Sequence, residues 1–434
     1  ILIMVLVLVF LLIYLVEEKM GISERDKTIL RDLSKKVKEI SLNPLWQEKI
    51  NLWKAHNKLG KTRPMVMIHL GDGDVWKDII PEGTLLCEDD YLRGIELDLR
   101  ERIYRWENLK DDTVIDGRIF TPIFVENTGF GITEETLKPE EYGGAVHYHA
   151  VIKEEKDIEK IKKPKISVDY KKTEETFELV SNILGDILKI EKRGPCGFWF
   201  APIDMFAKWR SFDQLFIDMI ERPQWLHKVL NFITECTLEE IEFYEKENIL
   251  GFNHDLNFEG SGGAGYTDEL PQNDFDGKHV RTKDLWGHAA TQIFSLVSPS
   301  MHEEFAIMYE KRLLSKFGLS SYGCCEPLHK KVDILFKNIP NIRRISMSPW
   351  ADIEEGAKNI ENKAIFSWKP SPSILAGETF EPENVRKIIR DGLEKTKECV
   401  VEIIMKDVRT CREKPERLTE WVNITMEEAE EYPK

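Results

Sequence analysis

Residues 318–327, Gly318-Leu-Ser-Ser-Tyr-Gly-Cys-Cys-Glu-Pro327, contain the pattern that decides the fold. A short extended run ends at Tyr322, a loop opened by glycine follows, and residues 328–337 have helical periodicity. The same succession of run, loop and helix recurs through the second half of the chain. Its other members are 249–254 before 284–295, 342–347 before 353–360, 364–368 before 381–396, and 400–405 before 412–430.

Five such units predict parallel strands, because a helical crossover joins parallel neighbours. The first half adds runs at 64–70, 117–126 and 190–194 and helical stretches at 24–59, 91–109, 171–185 and 211–247. A chain of 434 residues in this pattern is most simply an α/β protein of the (β/α)8 TIM-barrel type with an N-terminal helical extension. A doubly wound sheet is the alternative, but no Gly-x-Gly-x-x-Gly follows any of the runs.

The predicted organisation has three parts: an apolar segment over 1–19, a helical extension over 20–60 and the barrel over 61–434. Residues 1–16 (ILIMVLVLVFLLIYLV) are unbroken apolar sequence, about 24 Å long as a helix against a hydrocarbon core of about 30 Å. They are either a membrane anchor or a mispredicted start before Met20, and we favour the second. Ser23 is the expected N-cap of the first helix.

Composition excludes several classes of function. With 61 Lys+Arg against 77 Asp+Glu the formal net charge is -16, and the basic residues do not cluster, so we expect no nucleic-acid binding. The seven cysteines are irregularly spaced, which favours free thiols in a reducing compartment and a cytoplasmic protein. We expect no membrane association unless residues 1–16 are part of the native protein.

The chemistry of a barrel sits where strands end and the following loops begin. Adjacent residues of a strand point to opposite faces, so only one of Cys324 and Cys325 is expected to face the mouth. With Glu326 and His254 they would supply soft and hard ligands to Zn²⁺, and the alternative is two buried small apolar residues. The candidate catalytic residues are His254, Glu326 and Tyr322.

The candidates for substrate binding are Asp72, Trp350 and Lys369 at predicted strand ends, where His69 and Ser348 also lie, and Trp286 in the predicted helix 284–295. The tryptophans either line an apolar pocket or pack strands against helices. Residues 260–265 (GSGGAG) lack the Lys-Ser/Thr of a phosphate-binding loop, and we predict a mobile loop over the barrel mouth.

The order of motifs resembles the uroporphyrinogen decarboxylase superfamily, and in particular its corrinoid-dependent methyltransferase branch. The segments that carry the resemblance are Gly194-Pro-Cys-Gly-Phe-Trp199, Glu221-Arg-Pro223, Asp284-Leu-Trp-Gly-His-Ala-Ala-Thr-Gln292 and Ser298-Pro-Ser300. Tyr322-Gly-Cys324-Cys-Glu326 falls where coenzyme M methyltransferases have a His-x-Cys zinc motif. The resemblance covers nearly everything from Met20 onward and implies a TIM barrel.

Two departures from that family limit the function. The stretch Arg63-Pro-Met-Val-Met-Ile-His69-Leu-Gly-Asp72 is acidic after Arg63, which argues against a polycarboxylate tetrapyrrole as substrate. Tyr322 stands in the place of the His, and Ser367 to Pro372 contains no second Cys. Any zinc site would therefore be built differently, with His254 and Glu326.

The resemblance predicts a methyltransferase of the O-demethylase kind, active in anaerobic one-carbon metabolism. It would move a methyl group from a small methoxyaromatic or methylamine substrate to the Co(I) of a cognate corrinoid protein, with zinc or a side chain neutralising the leaving group. The alternatives are a methylcobalamin-to-thiol transferase of the coenzyme M type, a uroporphyrinogen decarboxylase-like enzyme, and a non-catalytic subunit that binds a corrinoid protein.

Overall fold

The computed structural model describes residues 23–71, 75–137 and 147–432. Its helices are α1 Glu24–Ser41, α2 Leu45–Asn57, α3 Trp76–Ile79, α4 Asp90–Asn108, α5 Tyr170–Leu184, α6 Pro202–Arg210, α7 Phe212–Glu221, α8 Pro223–Lys246, α9 Pro299–His302, α10 Met308–Leu314, α11 Val332–Asn338, α12 Ile353–Ile360, α13 Ser373–Ala376, α14 Pro382–Lys395 and α15 Glu416–Glu431. Its strands are β1 Met65–Ile68, β2 Arg118–Pro122, β3 Val125–Asn127, β4 Glu135–Leu137, β5 His147–His149, β6 Ile166–Val168, β7 Lys189–Arg193, β8 Trp199–Phe200, β9 Trp286–Ala289, β10 Leu319–Tyr322, β11 Ile342–Met347, β12 Ile365–Trp368 and β13 Val400–Met405.

A seven-stranded parallel sheet forms the centre of this α/β fold, in the order β1-β13-β12-β11-β10-β9-β8. Strands β1, β9, β10 and β12 are buried along their whole length, as expected for parallel strands covered on both faces. Their side chains form the largest apolar core together with the helices that follow them. The strand–loop–helix units predicted over 318–430 are confirmed.

The described strands do not form one closed ring of hydrogen bonds. Strands β1 and β8 lie at the two edges of the sheet, and β2 pairs with β7 in a separate parallel pair. One backbone hydrogen bond, from the N–H of Asp112 to the carbonyl of Val66, connects the chain before β2 to β1. The α/β class predicted from the sequence is therefore confirmed, whereas a closed eight-stranded barrel is not shown.

Two elements of the predicted pattern are wrong, and both lie in the same unit. Residues 249–254 belong to no sheet of the described chain. They lie instead against residues 194 and 195: the N–H of Gly251 donates to the carbonyl of Pro195, and a Cβ on Gly194 would lie 1.7 Å from the Ile249 carbonyl oxygen. The strand of this unit is β9, inside the predicted helix 284–295. Pairing with β10 on one side and β8 on the other overrides the local helical pattern of that segment.

The N-terminal helices pack into the core of the molecule. Ser23 caps α1 as predicted, its side-chain oxygen accepting a hydrogen bond from the N–H of Asp26. Leu30 of α1 and Trp53 of α2 are fully buried in one apolar cluster with Met65 of β1. In the part of the chain that the structure describes, no helix combines the length and apolar character needed to cross a bilayer.

The glycine-rich segment 259–265 lies inside the fold, buried against the main sheet. A Cβ on Gly260, which has φ +56°, would lie 2.2 Å from Nδ1 of His288, and one on Gly262 would lie 2.2 Å from Cδ of Arg344. The Ser261 hydroxyl donates a hydrogen bond to the carbonyl of Gly323 at 2.7 Å. The prediction of a mobile loop over the mouth is wrong, because the glycines here provide space rather than freedom.

Candidate active site

Parallel strands bring their carboxyl ends to one edge of the sheet, and polar residues follow closely on five of those ends. They are His69 after β1, Cys324 after β10, Ser348 after β11, Lys369 after β12 and Lys406 after β13. The register pairs Ile68 with Met405, so His69 and Lys406 lie side by side on neighbouring strands. The sequence predicted strand-end positions for His69, Cys324, Ser348 and Lys369, and only Lys406 of this group was missed.

The two cysteines of the β10 loop point to the same side. Gly323 has φ +94°, and the chain bends over Cys324 and Cys325 instead of continuing as a strand. Their sulfur atoms lie 3.6 Å apart, with Cys324 buried and Cys325 exposed. The prediction that adjacent cysteines would face opposite ways is wrong, because the strand has already ended at Tyr322.

Electrostatics distinguish the two thiols. The Lys406 ammonium donates a hydrogen bond to Sγ of Cys324 at 3.4 Å. The thiol of Cys325 and the positive charges of Lys406 and Lys369 lower the pKa of Cys324. The same contact raises the pKa of Cys325, because a proton on Cys325 bridges to the neighbouring sulfur. Cys324 is therefore the sulfur that carries negative charge first.

Glu326 anchors the loop. Its carboxylate is fully buried and accepts the N–H of Thr291 at 3.0 Å and the N–H of Cys324 at 2.9 Å. Each carboxylate oxygen thus accepts one backbone N–H, and together the two hydrogen bonds connect the cysteine loop to the chain after β9. We assign Glu326 to positioning this loop rather than to the predicted catalytic role.

The predicted zinc ligands are not brought together. The imidazole of His254 lies edge-on against Phe252, with its buried Nε2 lacking a hydrogen-bond partner among the described residues, and burial lowers its pKa. No group of three or more His, Cys, Asp or Glu in the described residues is arranged to hold a metal ion. The residues do not fit the predicted site of Cys324, Cys325, Glu326 and His254, and we assign no metal to this loop.

Tyr322 is the last residue of β10, and its side chain lies in a buried hydrogen-bond network with the helices that cover the sheet. Its hydroxyl donates to Oε2 of Glu310 on α10 at 2.6 Å and meets Nε2 of His302 at 2.8 Å. Thr291 donates to the other oxygen of Glu310 at 2.7 Å. These contacts show that the Tyr322 side chain faces the helices that cover the sheet. The neighbouring Ser321 points to the opposite face, as expected for successive residues of a strand. The predicted catalytic role of Tyr322 is not supported.

The predicted substrate-binding residues have different surroundings. Trp286 is fully buried, and its indole N–H donates to the carbonyl of Gly265 at 3.0 Å, so it packs the glycine-rich segment. Trp350 is 79% exposed on the surface. Lys369 is buried and donates to Oγ of Ser367 at 2.7 Å, and burial lowers its pKa to about 7. Asp72 lies outside the described residues.

A cavity of about 470 Å³ opens where β1 and the segment before β2 end, beside helix α4. Aromatic side chains form much of its wall: Trp76, Phe120, Phe258 and Tyr266. His69 lines it too, with its ring 5.5 Å from that of Phe258. This volume is in the range of small-molecule sites. The cavity is lined by neither His254 nor the cysteine loop, so the single shared cavity expected for these groups is not found there.

Glu101 is the acidic group of this cavity that sequence reasoning missed. Its carboxyl has no hydrogen bond or ion pair with the described residues, and burial raises its pKa to about 7. The neighbouring arginines are held by the backbone: Arg105 donates to the carbonyl of Ile68 at 2.9 Å and Arg102 to that of Arg118 at 2.7 Å. In the sequence Glu101 resembles the solvated charges around it, and the only available signal was its i,i+4 spacing from Arg105.

Asp255 closes the far side of the cavity. It forms ion pairs with Arg118 and with Arg193, the latter at 2.9 Å, and both guanidinium groups lie over the ring of Phe120. Asp116 also pairs with Arg118. These charges are mutually neutralised and fix the wall of the cavity, which leaves Glu101 as its acidic residue without an ion pair among the described residues.

Comparison with known proteins adds one structural likeness. No family model and no curated protein matches the sequence. Among solved structures, a methyltransferase from Methanosarcina mazei superimposes with a TM-score of 0.47 at 11% identity, over 87% of this chain and 98% of that chain. This low identity does not transfer an activity from one protein to the other.

Proposed function

We propose that this chain is a methyltransferase that moves the methyl group of a small methoxyaromatic compound to the Co(I) of a corrinoid carried by a partner protein. The observation that carries the proposal is the aromatic cavity at the end of β1, with the unpaired carboxyl of Glu101 in its wall. A closed (β/α)8 barrel around this site is part of the same proposal.

The size and lining of the cavity suit a single substituted aromatic ring. About 470 Å³ accommodates such a ring, and the faces of Phe258 and Tyr266 offer stacking surfaces for it. Phe258 is 56% exposed, so the aromatic ring of the substrate enters the cavity from the protein surface, where a partner protein also has access.

The chemical task of the chain is to supply a proton to the leaving oxygen. The cobalt of the partner provides the nucleophile, the carbon–oxygen bond of the methoxy group breaks, and the electron pair of that bond remains on the aryl oxygen. Glu101 gives this oxygen its proton, so the products are a phenol and a methylated corrinoid. A carboxyl with a pKa of about 7 is half protonated at neutral pH, which suits a general acid.

The alternatives lack comparable support. A thiol-methylating enzyme of the coenzyme M type needs zinc to form a thiolate, and the predicted ligands are not assembled in the described residues. A decarboxylase of a polycarboxylate needs a cationic site. The cavity instead has more acidic than basic side chains: Asp98, Glu101, Asp116 and Asp255 against Arg102 and Arg105.

The test is demethylation of methoxybenzene by the full chain with free cob(I)alamin as acceptor. We expect phenol release. Two parallel assays use trimethylamine in place of methoxybenzene, and a thiol with methylcobalamin in place of both substrates. Glu101→Gln should lower kcat by about 100-fold with little change in KM, since the proton donor is lost and the cavity keeps its shape. Glu107→Gln, an exposed position of the same helix outside the cavity lining, is the matched control and should keep the rate.

Several outcomes of this assay contradict the proposal. Methyl transfer only to or from thiols would favour the coenzyme M type of reaction. Transfer from trimethylamine alone would retain a methyltransferase and reject the aromatic substrate. Binding of a corrinoid protein without any methyl transfer would favour the non-catalytic subunit. Unchanged phenol release by Glu101→Gln would remove Glu101 from the reaction.

A further inference from the structure

The cysteine pair after β10 is a group of reactive atoms that the proposed methyl transfer does not use. Sγ of Cys324 and Sγ of Cys325 are 3.6 Å apart, close enough for a bond to form after a small rotation of the side chains. The ammonium of Lys406 contacts the first sulfur and the second is exposed to solvent. These are the features of a reactive thiol pair rather than of two packed core residues.

We infer that Cys324 and Cys325 form a second reactive site, a vicinal dithiol that reduces small hydroperoxides and closes to a disulfide between adjacent residues. This inference does not depend on the proposed methyl transfer.

The chemistry balances with a hydroperoxide as the oxidant. The thiolate of Cys324 attacks one peroxide oxygen, the oxygen–oxygen bond breaks, and the leaving oxygen departs as an alcohol or water after taking a proton. Cys324 is then a sulfenic acid. The thiol of Cys325 attacks this sulfur, the sulfur–oxygen bond breaks and water leaves. Two thiols and one hydroperoxide thus give a disulfide, an alcohol and water, and an external dithiol restores the pair.

The loop is built to hold the sulfur atoms in this arrangement. The N–H of Cys324 is fixed by Glu326, and its carbonyl accepts the Ser346 hydroxyl at 3.1 Å. The carbonyl of Gly323 accepts the hydroxyl of Ser261. Three hydrogen bonds therefore fix the backbone of Gly323 and Cys324, in a conformation that keeps the two sulfur atoms close to each other. A small oxidant is required, because Cys324 is only 6% exposed.

Two of the other cysteines provide the contrast. Burial raises the pKa of Cys399 and of Cys87 to about 12 each, and within the described part of the chain no Lys or Arg donates a hydrogen bond to either sulfur. Both should stay reduced under conditions that oxidise the pair. Cys399→Ser is therefore a control that leaves the reactive loop unchanged.

The experiment treats the full chain, freed of metals with a chelator, with hydrogen peroxide and follows the peptide that contains both cysteines by mass spectrometry. We expect this peptide to lose two hydrogen atoms and to recover them with dithiothreitol, in Cys399→Ser as in the native sequence. Cys325→Ser should stop at a sulfenic acid on Cys324 that reacts with dimedone. Lys406→Met should slow oxidation about tenfold, because the thiolate loses its ammonium partner.

Two results would overturn the inference. One is a sulfenic or sulfinic acid on Cys324 of the native sequence while Cys325 remains a free thiol. The other is oxidation of Cys87 or Cys399 at the same rate as the pair. Circular dichroism of each variant checks that it is folded. Should Lys406→Met fail to fold, Lys406→Arg keeps the charge, and its oxidation should remain within about threefold of the native rate.

Discussion

Individual buried side chains of this protein show how the presence of a partner decides the charge of an acid. Burial raises the pKa of Glu310 to about 8 and that of Asp204 to about 7, and neither forms an ion pair with a residue that the structure describes. Glu402 is equally buried, and burial opposes its ionisation. The guanidinium of Arg344, with its Nε at 2.9 Å, nevertheless lowers the pKa of Glu402. Buried acids without an ion pair among the described residues therefore keep their proton to a higher pH, and Glu101 belongs to them.

The pH dependence of the proposed reaction follows from Glu101. A general acid must be protonated, so the demethylation rate should be highest below pH 7 and fall as the pH rises through the pKa of about 7. In Glu101→Gln this fall should vanish, leaving a low rate that is flat between pH 6 and 8.5, roughly the interval over which the acid titrates. A rate that rises across this range would show instead that the group acts as a base.

Glu310 should make the protein less stable in alkali. Its folded pKa of about 8 is above the usual value of 4.5, so the folded protein holds a proton that the unfolded chain releases. The stabilising contribution is complete below pH 4.5, declines with increasing pH and is lost above about pH 8. Urea midpoints measured from pH 5 to pH 9 should fall, and Glu310→Gln should flatten this decline. Glu304→Gln, an exposed change nearby, should keep the native profile.

At the scale of elements, the segment 259–265 explains why the centre of the sheet is not open. The segment runs between His288 of β9, next to Gly260, and Trp53 of helix α2, next to Gly263. The Glu402 carboxylate accepts the N–H of Gly263 at 3.0 Å. Gly260, Gly262 and Gly263 lie against side chains, and Gly265 lies against the backbone of Asn253, at distances where a methyl group does not fit. The composition Gly-Ser-Gly-Gly-Ala-Gly is thus a packing requirement rather than a sign of motion.

Gly262→Ala tests this packing. The new Cβ would lie 2.2 Å from Cδ of Arg344 and 2.8 Å from Oε1 of Glu402, so the buried ion pair must shift. We expect a loss of about 3 kcal/mol in the free energy of unfolding, from overpacking and a strained ion pair. Gly83→Ala is the control, since no atom lies within 4 Å of its Cβ position. Equal urea midpoints for both variants would contradict the packing account.

At the scale of the whole molecule, α2 connects the N-terminal part to the centre. The Asn57 amide donates to the carbonyls of Ala264 and Tyr266 at 2.8 Å each, and its oxygen accepts from Arg344 at 3.0 Å. The same helix places His56 3.5 Å from Glu402. Residues 24–57 therefore complete the core instead of lying beside it.

Asn57→Ala should lower the free energy of unfolding by about 3 kcal/mol, because three buried hydrogen-bonding groups lose their partner. Equilibrium urea unfolding of the full chain measures this change. Asn51→Ala, an exposed position on the same helix, is the matched control and should stay within about 0.5 kcal/mol of the native value. Similar losses in the two variants would show that α2 contributes only its general helical character.

Sequence reasoning predicted most elements because their patterns are local. The strands β11 to β13 and the helices after them have apolar runs bounded by turn residues, and the structure confirms them. Sequence reasoning failed at β9, where pairing with β8 and β10, which are distant in sequence, overrides the local helical pattern. It also failed at Glu101, because the pKa of a carboxyl depends on neighbours that only the folded chain supplies.

The filled centre of the sheet has a consequence for how substrate preference can change. Because the glycine-rich segment packs tightly against side chains of β9, β11 and β13, new selectivity is not expected from substitutions among those strands. It has to arise on the face of α4 that carries Asp98, Glu101 and Arg105, together with Phe258 opposite. Libraries that diversify this helix should yield altered donors, whereas libraries in the strands should mostly yield insoluble protein.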